Sequence, residues 1–368
     1  MPKLIFCKCL ALCYEHEYIN IMEIGAIILA AGRGTRIKYA LPKPMHKIGG
    51  RPMLAWSLDA AIAVNTSHII TVLPRQSEQI QDWLDGRDFC IQDPPLGTGH
   101  AVLTAAPSLA NFDGIALIMY ADTPLVTADT LKRLVSSIDA ATSVAVLGFE
   151  TANPHGYGRL IVDKNGQLEQ IVEDKDANDD EHRITLVNGG IMAVRCPLLF
   201  ELLGQVQPNS NSGEIYLTDI IALANKNGHK VTSLVADDAE IAGVNDRADL
   251  AHLEVILQRR LRYAAMQQGA TLIAPETVFL SADTILERDV IIEPHVVIGP
   301  NTNIGEGTII KSFSHIEGAT LGARCVIGPY ARIRVGTEVG NGVKIGNFVE
   351  TKKSVIGAGS KANHLTYI

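Results

Sequence analysis

The stretch Val290-Ile291-Ile292-Glu293-Pro294-His295-Val296-Val297-Ile298-Gly299-Pro300-Asn301-Thr302-Asn303-Ile304 repeats an apolar residue every six positions. Followed outward, Leu280, Leu286, Ile292, Ile298, Ile304, Ile310 and Ile316 keep that interval, and after a slip of one the ladder resumes as Leu321, Ile327, Ile333, Val339 and Ile345. Four positions after most rungs stands a small or β-branched residue: Thr284, Val290, Val296, Thr302, Thr308, Ser314, Thr320, Cys325 and Ala331. Each hexad therefore predicts one short strand with its apolar residue inward. Stacked hexads make a parallel β-helix, and glycines after many rungs, such as Gly299, Gly305 and Gly322, ease its turns. The ladder still runs as the sequence reaches Ile368, so the expectation is a last coil covered by a missing C-terminal segment or by trimerisation, with the missing segment favoured.

Upstream the period changes. Leu250, Leu253, Leu257, Leu261 and Ala264 recur at helical spacing among charged residues, which predicts a linker helix over 248–269. Before it, apolar runs alternate with helical patterns from Gly25 to about Arg247, including Ile69 to Leu73, Ile115 to Met119 and Val144 to Leu147. That alternation predicts an α/β domain over 22–247 with a largely parallel sheet, whose ligands sit beyond the carboxyl ends of the strands.

The first apolar run, Gly25 to Leu29, enters Leu29-Ala30-Ala31-Gly32-Arg33-Gly34-Thr35-Arg36, followed closely by Leu41-Pro42-Lys43-Pro44. Gly32 and Gly34 let backbone amides approach an anion, and Arg33, Arg36 and Lys43 supply charge. An ordinary strand-to-helix turn is the competing reading, but three cations in a short span favour nucleotide phosphates. A dinucleotide fingerprint fails because Ile37 stands where its third glycine belongs, and no Walker sequence is present. Asp122 ends the run Ile115 to Met119 and so falls where chemistry usually occurs, although a strand-end aspartate also caps helices.

Over 368 residues the formal charge is −8, which argues against a nucleic-acid partner. No apolar run approaches the roughly 20 residues that span a bilayer. Three of six cysteines (Cys7, Cys9, Cys13) crowd residues 1–21, and Cys90, Cys196 and Cys325 fall in core-like regions, a pattern that suits reduced cytoplasmic thiols. Lys8 interrupts the leader's apolar patch, and Leu12 stands where a lipid-attachment site wants a small residue. Residues 1–21 are expected to be an extension without a catalytic part.

The loop Leu29 to Arg36 with Leu41-Pro42-Lys43, the hexad ladder, and Asn347-Phe348-Val349-Glu350 followed by His364-Leu365-Thr366-Tyr367 resemble the bacterial bifunctional N-acetylglucosamine-1-phosphate uridyltransferase/glucosamine-1-phosphate N-acetyltransferases. The resemblance runs from about Met22 to Ile368. It implies a Rossmann-like nucleotidyltransferase domain followed over 270–368 by a left-handed parallel β-helix. The implied first activity joins UTP to N-acetylglucosamine 1-phosphate with release of pyrophosphate and needs Mg²⁺. The second moves an acetyl group from acetyl-CoA to glucosamine 1-phosphate. The family also implies a cytoplasmic homotrimer that supplies cell-wall precursor synthesis.

Carried over by motif, Leu29, Ala30, Ala31 and Gly32 line the uridine pocket, with Arg36 and Lys43 on phosphates and Gln92, Gly97 and Thr98 reading uracil. Tyr120, Ala121 and Asp122 follow, and Asp122 and Asn245 hold the metal. Gly158, Glu173 and Asn188 match sugar-binding positions. Ala121 replaces a common glycine, and Gly189 stands where a threonine often follows the asparagine. In the β-helix, His364 matches the base, and Arg334, Lys352 and Tyr367 match sugar-phosphate ligands. The family chain continues past Tyr367 with most of the acetyl-CoA groove, so uridyl transfer without efficient acetyl transfer is expected. Read without the resemblance, these four are solvated turn residues and Asn245 is a structural turn. Other sugar-phosphate nucleotidyltransferases, making ADP-glucose or dTDP-sugars, and a non-catalytic regulatory subunit are the alternatives.

Overall fold

The computed structural model describes residues 22–32, 41–164, 166–210 and 213–368. Arg33, Gly34 and Arg36, and the cysteines of residues 1–21, lie outside them.

A sheet of nine described strands forms the N-terminal part: β1 Ile24–Leu29, β2 His68–Pro74, β3 Phe89–Gln92, β4 Ile115–Tyr120, β5 Thr142–Glu150, β6 Arg159–Val162, β7 Leu168–Val172, β8 Leu186–Arg195 and β9 Lys230–Ala236. Its main order is β9-β5-β8-β4-β1-β2-β3, with β6 pairing to β8 and β7 to β6. Alternation in β1 sends Ile27 and Leu29 into one core and Ala26 and Ile28 into the other, so the sheet is covered on both faces. The expectation of a largely parallel sheet holds for β1 with β2 and β4, but β8 runs antiparallel to both β4 and β5. The hairpin β6–β7 is inserted before β8. Strand order reverses about β1, with β2 on one side and β4 on the other, and a crevice opens beyond their carboxyl ends.

A 21-residue helix spans Arg247–Gln267. Asp246 starts it through a capping box: its side chain accepts from the Ala248 and Asp249 amides, and Asp249 returns a bond to the Asp246 amide. One stretch of the helix packs Leu253, Ile256 and Leu257 with Ile48, Met53 and Val244, and further along Leu261 and Ala265 reach the β-helix core.

Beyond the helix, every third short strand pairs in parallel to build three sheets of six, five and five described strands. Ile291 registers with Ile309, one coil of 18 residues, whereas Ile309 registers with Val326, a coil of 17. All the predicted rungs are buried. The slip lies between Ile316 and Ala319, so Ala319 takes the small inward position and Thr320 is exposed. Thr284 is likewise only half-buried. The ladder extends past Ile345 to Thr351, 0% exposed, and after a second slip to Ile356. Thr351 is tolerated because its hydroxyl meets that of Thr337 at 3.2 Å. Cys196 and Cys325 are buried free thiols, while Cys90 is only half-buried.

Candidate active site

Three adjoining cavities line the crevice. The first, about 490 Å³, is bordered by Ala30, Ala31, Gly32, Pro42, Lys43, Arg75 and Gln92. The second, about 510 Å³, shares Ala31, Gly32 and Gln92 with it and adds Leu29, Gly97, Thr98, Tyr120, Asp122 and Tyr216. The third, about 610 Å³, shares Thr98, Tyr120, Asp122 and Tyr216 with the second and adds Gly158, Glu173, Asn188 and Asn245. Of the described residues expected at nucleotide and sugar, all but Ala121 border these adjoining cavities.

Strand ends place them. The Ala121 amide donates to the Leu29 carbonyl at 3.0 Å, and the Ala30 amide to the Val72 carbonyl at 2.9 Å, so the turn after β4 is tied to the end of β1 and the turn after β1 to β2. Ala121 itself is 1% exposed, packs in the core with Ala26 and Ile28, and is not among the residues bordering the three cavities. Lys43 sits in the one-turn helix Lys43–Met45 and forms an ion pair with Asp122. The Val244 amide donates to the Asp122 carbonyl at 2.9 Å, which carries Asn245 to the same cavity.

Gln92 is 5% exposed at the end of β3. Its amide nitrogen donates to the Gly97 carbonyl at 2.9 Å and lies 3.1 Å from His100 Nδ1, leaving the side-chain oxygen as the acceptor for a ring N–H. Gly97 has φ +97°, and a Cβ there would stand 2.6 Å from the Ile215 carbonyl oxygen, so only glycine brings this loop so close. Thr98 accepts from the Leu217 amide at 3.0 Å.

At the sugar end, the Asn188 side chain accepts from the Gly190 amide at 2.9 Å within an irregularity of β8. The Gly189 departure has a local reason: a Cβ there would lie 2.4 Å from Ile241 Cγ2 and 2.8 Å from the Leu147 carbonyl oxygen. Glu173 accepts from Thr218 Oγ1 at 3.0 Å, and burial pushes its carboxyl above the usual range. Burial, with the charges of Asp122 and Glu173, pushes the Tyr120 phenol well above its usual range as well, so it stays a neutral donor.

Glu214, Tyr216 and Thr218 border the cleft and were not expected. The only sequence signal is their alternation with Ile215 and Leu217, which pack into the core and leave the polar three on the opposite face. Lys175, also unexpected, donates to the Tyr216 hydroxyl at 2.7 Å.

Among the described residues, no group of three His, Cys, Asp or Glu side chains is placed to hold a metal ion. Asp122 and Asn245 offer a carboxylate and an amide oxygen to one cavity, a hard-oxygen pair that suits a Mg²⁺ completed by phosphate and water. No described helix is long and apolar enough to cross a membrane.

Arg334, Lys352, His364 and Tyr367 lie on the last coils of the β-helix. The Arg334 and Lys352 amides donate to Thr351 and Ile368, and Tyr367 bridges to Glu350, which pairs with Arg334 at 2.7 Å. His364 ends the strand Lys361–His364 one corner before Tyr367.

Residues 26–180 match the family of MobA-like NTP transferase domains, and 283–318 and 301–335 match the bacterial transferase hexapeptide family. A crystal structure of UDP-glucose pyrophosphorylase complexed with UDP-glucose shares the fold with a TM-score of 0.55, at 20% identity, over 65% of this chain and all of that one. The bifunctional protein GlmU of Zymomonas mobilis is 45% identical over 94% of this chain and 78% of its own length. That of Maricaulis maris is 49% identical over 94% of this chain and 76% of its own. At that identity and coverage across both architectures, the chain belongs to the family of the bifunctional protein GlmU.

Proposed function

We propose that the cleft transfers UMP from UTP to N-acetylglucosamine 1-phosphate, giving UDP-N-acetylglucosamine and pyrophosphate. The observation that carries this is the single cleft whose two halves meet at the Lys43–Asp122 pair. Uracil sits against Gln92, Gly97 and Thr98, and the sugar against Gly158, Glu173 and Asn188. That placement aligns a sugar-phosphate oxygen with the α-phosphorus; the new P–O bond forms as the bond to the β-phosphate breaks. Lys43, joined by Arg36, neutralises charge on the departing pyrophosphate. Asp122 and Asn245 would hold Mg²⁺, which when bound screens the phosphates. Glu173 accepts from sugar hydroxyls, and Asn188 donates.

The β-helix is assigned the acetyl-CoA-dependent activity, with His364 taking the proton from the amine of glucosamine 1-phosphate and Arg334, Lys352 and Tyr367 around its phosphate. The assembly is assigned as a homotrimer through the β-helix, in the cytoplasm. Pyrophosphate release measured across UTP, ATP and dTTP with N-acetylglucosamine 1-phosphate and glucose 1-phosphate, in parallel with acetyl transfer, tests both activities. Preference for UTP with N-acetylglucosamine 1-phosphate is expected; turnover with ATP or dTTP instead would reassign the cleft.

A further inference from the structure

Two segments border the sugar end of the cleft: the loop 156–158 entering β6 and the segment 173–175 leaving β7. Because Arg159 registers with Val172 in the hairpin, both leave from the same end of it. Arg159 is 2% exposed, a costly place for a guanidinium unless it is paired. It donates to the Tyr157 carbonyl, and its other terminal nitrogen lies 2.8 Å from Asp174 Oδ1. The second oxygen of Asp174 accepts from the Gly156 amide at 2.9 Å and stands 3.2 Å from His155 Nδ1. One carboxylate and one buried guanidinium therefore grip both segments.

We propose that Asp174 and Arg159 form a clamp that positions Gly158 and Glu173 opposite each other for the sugar phosphate. The clamp rests on the uridyltransferase reading for its substrate. It acts through its neighbours: Asp174 follows Glu173 directly, and Arg159 follows Gly158 directly. Thr218 holds the Glu173 carboxylate by a hydrogen bond from its hydroxyl at 3.0 Å, and the clamp acts on the backbone that carries it. Without the carboxylate charge, the acceptor at the Gly156 amide is weakened and a buried guanidinium loses its counter-charge.

The test is Asp174→Asn. Its KM for N-acetylglucosamine 1-phosphate should rise about tenfold, with the KM for UTP and kcat changed less than about threefold. An unchanged sugar-phosphate KM, or an equal rise for UTP, overturns the clamp. Amide exchange of residues 156–158 in the ligand-free protein is the second readout and should quicken about tenfold in the variant. If the unaltered protein forms no nucleotide sugar, the uridyltransferase reading fails, and unchanged exchange would still sink the clamp by itself. Should Asp174→Asn not fold, Asp174→Glu keeps the charge but displaces it by one methylene. A smaller rise in the same KM is then expected, and no rise counts against the clamp.

Discussion

Glu173 combines two demands that pull apart, since a carboxylate that accepts from a sugar hydroxyl must be ionised while burial favours its proton. Its folded value is raised above the ordinary 4.5, so its contribution to stability is present below pH 4.5 and lost as pH rises through the raised value. Glu173→Gln should therefore melt a few degrees above the unaltered protein at pH 7 and with it below pH 4.5, while sugar-phosphate affinity falls; a gap independent of pH would remove burial as the cause. Sugar-phosphate KM in the unaltered protein should likewise climb as pH falls toward the raised value. Lys43 and Asp122 make the sharper chemical case. Lys43→Met should lower kcat for pyrophosphate release about a hundredfold, and Asp122→Ala should abolish Mg²⁺-dependent turnover, whereas unchanged rates would remove the pair from the chemistry. Both residues were legible as charge beside a glycine loop and a strand end. Thr218, Tyr216 and Asp174 were not, because their roles arise from partners 45, 41 and 15 positions away in sequence.

Strands and coils were more legible than the groups that decorate them. A six-residue apolar period needs no tertiary information, because each rung meets its equivalents one coil away. The period loses one residue after Ile316, where the sequence shows it, and another after Thr351, a polar rung that lies past the last apolar rung legible in the sequence, Ile345. Neither deletion breaks a strand; each shortens a corner. Along another corner His295, Phe313, Tyr330 and Phe348 stack with ring centroids 4.9–5.2 Å apart, each at φ between +55° and +62°. Left-handed backbone is costly for a large side chain, and stacking on both neighbours offsets that cost. Phe313→Ala, which keeps the backbone penalty and removes two ring contacts, should destabilise the β-helix by about 1 kcal/mol in urea unfolding. No change would mean the rings stack without contributing.

The linker helix joins the two architectures by hydrogen bonds as well as apolar contact. Gln258, 3% exposed, donates to the Leu280 carbonyl at 2.7 Å and accepts from the Leu280 amide at 2.9 Å, satisfying both backbone groups at the first predicted rung. Glu254 accepts from the Gly49 amide at 2.8 Å, and the Gly49 carbonyl receives Ser281 Oγ and the Ala282 amide. Gly50, at φ +80°, completes the approach, since a Cβ there would stand 2.4 Å from Ser281 Oγ. The cleft's own floor reaches this junction, because Val244 sits in the cluster with Leu257 while its amide holds Asp122. None of this was legible: helical periodicity marks Leu253 and Leu257 as buried but says nothing of a glutamine on the same helix reaching a strand 22 residues on. Gln258→Ala would leave two buried backbone groups unpaired at roughly 1–3 kcal/mol each. The loss falls on the junction, so calorimetry should resolve the single transition into two, the β-helix melting apart from the α/β sheet, while Gln258→Glu at low pH, protonated and able to donate, should restore one transition. If Gln258→Ala instead melts in a single transition at an unchanged temperature, the two parts are coupled by their apolar contacts alone.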